Sequence, residues 1–123
     1  MYKYDKKISK VRNKTEGDIG EMKSVDFLKS KKFEIIETNY KNKVGEIDII
    51  ALDKNVLVFI EVKSRKTLAF GRPYEAVDFR KQQKIRRIAE LYLIENHKYY
   101  SDCRFDVIEV LDGEILNHIE NAF

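Results

Sequence analysis

Two apolar, β-rich runs constrain this chain most: Val44-Gly45-Glu46-Ile47-Asp48-Ile49-Ile50, and then Phe59-Ile60-Glu61-Val62-Lys63. Each carries acids where a buried strand would carry aliphatic groups. Side chains along a strand alternate between faces. Glu46 and Asp48 therefore share one face of the first run, and Glu61, Lys63 and Arg65 share one face of the second; Ile47, Ile49, Ile60 and Val62 take the opposite faces. Asp53-Lys54-Asn55, between the runs, reads as a tight hairpin turn. Pairing through that turn sets Asp48 and Glu61 on neighbouring strands, with Lys63 close by. Two carboxylates and an ammonium on a rigid sheet can hold a divalent metal and handle a phosphate.

The flanking sequence supplies the frame for such a hairpin. Residues 1–13 are polar and basic without a clear period and read as a flexible arm, and residues 14–123 read as a single domain. Thr15 with Asp18 resembles a capping box that opens a helix running to about Lys31. On it, Ile19, Met22, Val25 and Leu28 fall on one broad face. Glu21 falls inside that face, so it lies at the rim of the core or points into a cleft. Gly17 and Gly20 weaken the helix start and leave room for close approach of the sheet or a substrate.

Residues 33–38 read as a first strand, and 44–52 with 56–65 as the hairpin. A loop over 67–73 holds Gly71 and the only proline, Pro73. Asp78 is placed to cap a second helix over 79–97, with Ile85, Ile88, Ala89, Tyr92 and Leu93 as its apolar stripe. Lys81, four residues before Ile85, leans toward the packed side and could reach a cleft, whereas Arg80, Lys84 and Arg87 make a separate basic row. Residues 104–110 form a strand, Asp112-Gly113 is a hairpin signal, and 115–119 pair back. Tyr74, Tyr92, Tyr99 and Tyr100 read as core or rim packing. The order αβββαββ gives an α/β (α+β) fold, a mixed β-sheet flanked by helices.

With 43% apolar residues, the chain has enough for one sizeable core. Its formal net charge of +3 is too small by itself to establish a polyanionic partner. The distribution carries more weight. Lys3, Lys6, Lys7, Lys10, Arg12 and Lys14 crowd the start against Asp5 alone, and Arg80, Lys81, Lys84, Arg86 and Arg87 lie together with no acid among them. Basic clusters interleaved with acidic strands fit a phosphate-tracking surface around a metal site, although a charge run is also what a solvated face looks like. The single cysteine, Cys103, excludes an intramolecular disulfide, fits a reducing compartment and reads as a small packed residue. His97 and His118 are isolated, and no Cys or His spacing suggests zinc. No apolar segment follows the basic start, so it does not read as a signal peptide, and no run of about 18 apolar residues could span a membrane. A cytoplasmic protein is the default.

Phosphodiester hydrolysis needs a metal to neutralise the phosphate, an activated water and a group that orients it. Mg²⁺ keeps several waters, so one or two carboxylates suffice. Asp48 and Glu61 could supply them, with the Val62 carbonyl as a third oxygen. Lys63 could hold or activate the water, or stabilise developing charge. Glu21 would contribute through a metal-bound water. Glu46 could be a further ligand or could bind a basic side chain. Arg65, Lys81, Lys84 and Arg80 would hold phosphates, a role independent of base sequence.

An acid in the first helix, an Asp in one strand and Glu-x-Lys on the next together resemble the PD-(D/E)XK nuclease superfamily. A nearer resemblance is carried by Gly20-Glu21, Asn39-Tyr40, Gly45-Glu46-Ile47-Asp48-Ile49-Ile50-Ala51, Val58-Phe59-Ile60-Glu61-Val62-Lys63-Ser64-Arg65, Phe70-Gly71, Ala76-Val77, Lys81 and Arg104-Phe105-Asp106-Val107. In order and spacing these resemble the YraN family, a bacterial family named as uncharacterised and described as endonuclease-like. The similarity spans about residues 14–111. It implies a restriction-endonuclease-like core similar to archaeal Holliday-junction resolvases. By it Glu21, Asp48, Glu61 and Lys63 would be the catalytic set, with Mg²⁺ or Mn²⁺ on the carboxylates. Ile47 stands where the superfamily's namesake motif has proline, a departure that leaves the ligands untouched.

The expectation is a metal-dependent endonuclease acting on DNA, including branched or structured DNA. A homodimer would suit two-fold substrates. The rival is a nucleic-acid-binding module that keeps the nuclease fold without cutting. A third reading is a protein-interaction domain whose acids serve only in salt bridges.

Overall fold

Residues 15–98 and 101–123 are described by a computed structural model. The basic arm, Tyr99 and Tyr100 lie outside them. The elements run α1 (Glu16–Ser30), β1 (Glu34–Lys41), β2 (Glu46–Asp53), β3 (Val56–Arg65), a 3-10 turn (Pro73–Ala76), α2 (Phe79–Glu95), β4 (Cys103–Leu111) and β5 (Glu114–Ile119). The five strands lie in the sheet in chain order. β3 and β4 are parallel, and the other pairs are antiparallel. The mixed sheet and its helices match the expected order.

Local chemistry sets the helix ends. Thr15 Oγ1 accepts the Asp18 N–H at 3.1 Å while Asp18 Oδ2 accepts the Thr15 N–H at 3.2 Å, so the capping box is formed. Asp78 Oδ1 accepts the Lys81 N–H at 2.9 Å and starts α2. That helix ends at Glu95, short of residue 97, because Asn96 Nδ2 takes the Tyr92 carbonyl at 2.9 Å and His97 turns left-handed at φ +55°.

The helices cover opposite faces of the sheet. Val25 and Leu28 of α1 pack on Ile49, Ala51, Val58, Ile60, Val62, Ile108 and Val110. Ile85, Ile88, Ala89 and Tyr92 of α2 pack on Tyr40, Ile50, Leu57, Phe59, Phe105 and Val107. Strands β2, β3 and β4 are therefore greasy on both sides, as strands between two helical layers must be.

The buried arc of α1 is rotated from the expected face. Gly20, Ser24, Val25 and Leu28 are buried, while Ile19 is 37% exposed. A Cβ at Gly20 would collide with Ser64 Oγ on β3, so the small residue lets the helix sit against the sheet. Cys103 is exposed at the start of β4, not packed as expected, because it precedes the buried stretch Phe105–Val110. Tyr92 is buried and Tyr74 half-buried, in line with packing roles.

Two buried acids on β4 are held by ion pairs. Asp106 receives Arg104 Nε at 2.9 Å, Arg104 Nη2 at 3.0 Å and the Asn121 N–H at 3.0 Å, and it lies 2.8 Å from His118 Nε2. Burial pushes its carboxyl up, but His118, Arg104 and Asn121 outweigh that and hold it below the usual range. Glu109 is fully buried beneath Arg72. No helix of the described residues is long and apolar enough to cross a membrane.

Candidate active site

The β2–β3 register runs from Asp53↔Val56 to Ile49↔Ile60, through a two-residue turn in which Lys54 takes φ +58°. The ladder ends there, and beyond it Asp48 and Glu61, on neighbouring strands, both line one cleft. The Val62 N–H donates to Asp48 Oδ2 at 2.8 Å, so a side chain takes a bond that a ladder would give to backbone. The alternation of β2 breaks there too. Ile47 packs with the α2 layer and Ile49 with the α1 layer, although both were expected on one face. The departure at Asp48 opens a cleft of about 470 Å³.

That cleft gathers most of the expected residues. Glu21, Glu46, Asp48, Glu61, Val62 and Lys63 line it, together with Lys81 and Lys84 from α2. Arg65 and Arg80 are not among its lining residues. Arg65 ends β3 and is paired along β4, and Arg80 projects from the first turn of α2 into solvent. Lys84 shares the cleft with Lys81 instead of belonging only to a separate outer row.

Electrostatics at the cleft is a contest between its five carboxylates and three ammonium groups. Glu61 is buried, and Lys63 Nζ and Lys81 Nζ each lie 3.4 Å from its Oε2. Burial, then the Glu61 charge, push Asp48 well above the ordinary carboxylate range, and Glu21 adds to this; the Val62 N–H and Lys63 pull the other way. Glu21 is pushed up to about 7, first by burial and then by Glu46, Asp18 and Glu61, against a hydrogen bond from Asn39. Glu21 thus points into the cleft, the second of its two expected placements.

Asn39 carried no chemical role in the sequence reading. It sits in β1 at φ +54°, a left-handed conformation that Asn tolerates better than most residues, and its side chain meets Glu21. An Asn inside an otherwise β-rich run was the available signal. Ser64 and Glu16 also line the cleft without having been singled out for it. Among the described residues, no group of three or more His, Cys, Asp or Glu side chains is arranged to hold a metal ion by itself.

Comparison with known proteins gives a consistent answer. The profile of Uncharacterised protein family UPF0102 matches residues 20–110. A UPF0102 protein of Caldanaerobacter subterraneus subsp. tengcongensis is 50% identical over 122 residues, covering 94% of this chain and 100% of the relative. One from Clostridioides difficile is 48% identical, covering 92% of this chain and 100% of the relative. One from Dictyoglomus turgidum is 43% identical with the same coverage of each chain. The matched span contains Glu21, Glu46, Asp48, Glu61 and the three lysines of the cleft, though not Glu16, and the chain belongs to Uncharacterised protein family UPF0102, the YraN-like family.

Proposed function

We propose that this protein is a metal-dependent endonuclease hydrolysing phosphodiester bonds in DNA, with branched or structured DNA as its substrate class. The single observation supporting it best is the convergence of Asp48, Glu61 and Lys63 on one open cleft, joined by Glu21 from another element. The kinship with restriction-endonuclease-like enzymes and archaeal resolvases belongs to this same reading.

The donor set fits Mg²⁺ or Mn²⁺ in type. Carboxylate and carbonyl oxygens suit hard cations, and an ion that keeps several waters needs only Asp48 and Glu61, the Val62 carbonyl and an outer contact from Glu21. Burial first, and neighbouring carboxylates after it, raise Asp48 and Glu21, and a divalent cation would favour the charged form of both. Such a cation supplies charge neutralisation at the phosphate and a more acidic water. Lys63, on the same sheet face as Glu61, orients that water and donates to developing negative charge. Lys81 and Lys84 hold the flanking phosphates, Lys81 exchanging its half-exposed pairing with Glu61 for a phosphate oxygen.

One observation favours the non-catalytic module. Glu61 already carries two ammonium partners, which neutralise it without any ion. The readings separate in a cleavage panel of linear, flapped, single-stranded and four-way DNA with Mg²⁺ or Mn²⁺. The nuclease reading expects Lys63→Ala to lower cleavage by at least about 100-fold while binding changes only a few-fold. Metal-independent, salt-sensitive binding without cleavage is the module's outcome.

A further inference from the structure

Between Glu61 and Glu75 the chain carries Lys63, Arg65, Lys66 and Arg72 and no acid. In the middle of that basic stretch Leu68 is 47% exposed and Phe70 89% exposed. The loop is built to hold the ring out instead of hiding it. Thr67 Oγ1 accepts the Ala69 N–H at 2.9 Å. The Gly71 N–H closes a turn onto the Leu68 carbonyl at 3.1 Å, at a φ of +104° that suits glycine. Arg72 then forks onto the fully buried Glu109 through Nε and Nη2, and the Tyr74 N–H reaches the same carboxylate at 2.9 Å.

This anchor lies beside the cleft. Glu109 is the β4 partner of Lys63, so the Arg72 fork is one strand away from the cleft lysine, and Phe70 is two residues from the fork. On the other flank, Lys66 shares a hollow of about 250 Å³ with two acids, Asp112 and Glu16, the latter also lining the cleft.

We infer that the Leu68–Phe70 tip is a base-contacting site: Phe70 stacks on an unpaired base of a nucleic acid whose phosphates lie in the cleft. This rests on the reading of the cleft as a phosphodiester site, and it narrows the substrate to strands with an unpaired base outside the helix, as at a flap. Aromatic stacking suits every base and needs no sequence. Lys63 and Arg72 are engaged by Glu61 and Glu109, and Glu75 lies against Gly71, so Arg65 and Lys66 are the cations that favour a polyanion over a second copy of the same tip; two side chains also fall far short of the roughly 1,200 Å² that a stable protein interface buries.

The test uses the full chain in chelator, so that binding is read without cutting. Affinities are measured for flapped, four-way and blunt linear DNA. Phe70→Ala weakens the flapped complex at least about fivefold and the fully paired four-way and linear complexes less than about twofold. The chain contains no tryptophan, so Phe70→Trp provides a single indole. Flapped DNA quenches it, and blunt duplex does not. Equal weakening on all three DNAs, no weakening, no selective quenching or no DNA binding at all overturns the inference. So does a Phe70→Ala effect confined to the monomer–dimer balance in sedimentation, which marks the tip as a protein contact. Selective quenching without metal-dependent cleavage sinks the nuclease reading alone; cleavage without Phe70 selectivity sinks this one alone.

Discussion

Glu21 is the residue whose chemistry is most open to measurement. Its carboxyl sits near pH 7, raised from its ordinary value chiefly by burial, with Glu46 adding and Asn39 opposing. A carboxyl raised in the folded state favours folding below its unfolded pKa, and that contribution is lost as pH climbs through the folded value. The charged form is therefore a burden above about pH 7. Glu21→Gln removes it, so the variant's midpoint of thermal unfolding exceeds that of the parent by ~4 °C at pH 8, after discounting for partial exposure, and matches it at pH 5. Equal shifts at both pH values in a calorimeter count against this account. Gly20 gives a second expectation. Alanine is the better helix former by about 1 kcal/mol, yet here its methyl meets Ser64 Oγ. Gly20→Ala lowers stability by ~1–3 kcal/mol in urea titration; a rise in the midpoint would show that the helix has room to spare.

At the scale of elements, the loop after β3 depends on one buried acid. Arg72→Ala strips the guanidinium from the buried Glu109 and leaves its carboxylate with the Tyr74 N–H, lowering the midpoint of denaturant unfolding. Adding Glu109→Leu recovers part of that loss; a double variant no better than the single would mean that the carboxylate is not the burden. This pairing was invisible in sequence, as Arg72 and Glu109 are joined only by the β3–β4 register. What was legible is local. Thr15, Asp78 and Asp112-Gly113 announce element boundaries through caps and turn chemistry acting within a few residues, and the hairpin register followed from the turn at Lys54-Asn55. The rotated face of α1 was not, because packing of Gly20 against Ser64 outweighs the simple apolar count. Nor was the break in β2, where Asp48 takes the Val62 N–H and sends Ile47 and Ile49 to different layers. That Asp48, Glu61 and Lys63 would line one cleft was legible because they share a hairpin; the contact of Asn39 with Glu21 was not, because its partner lies on another element.

Over the whole molecule, an ion in the cleft would tie α1 to the sheet and, through Glu61 and Lys81, to α2. Mg²⁺ or Mn²⁺ at about ten times its Kd then stabilises the fold by ~1.4 kcal/mol. The rise in the unfolding midpoint is larger at pH 8 than at pH 6, where more of the acids carry protons, and it disappears in Asp48→Ala and in Glu61→Ala. No metal-dependent shift at either pH favours the module that binds without cutting.

β3 meets β2 across two residues, but its parallel neighbour arrives only after the loop, the 3-10 turn and α2 have been made. A nascent chain halted on the ribosome before Cys103 therefore carries Glu21, Asp48, Glu61 and Lys63 with one flank of β3 bare. Pairing with a strand so distant along the chain is slow relative to hairpin closure. A chain stopped there would hold these four side chains without the strand that flanks β3, so the cleft's assembly waits on the synthesis of β4.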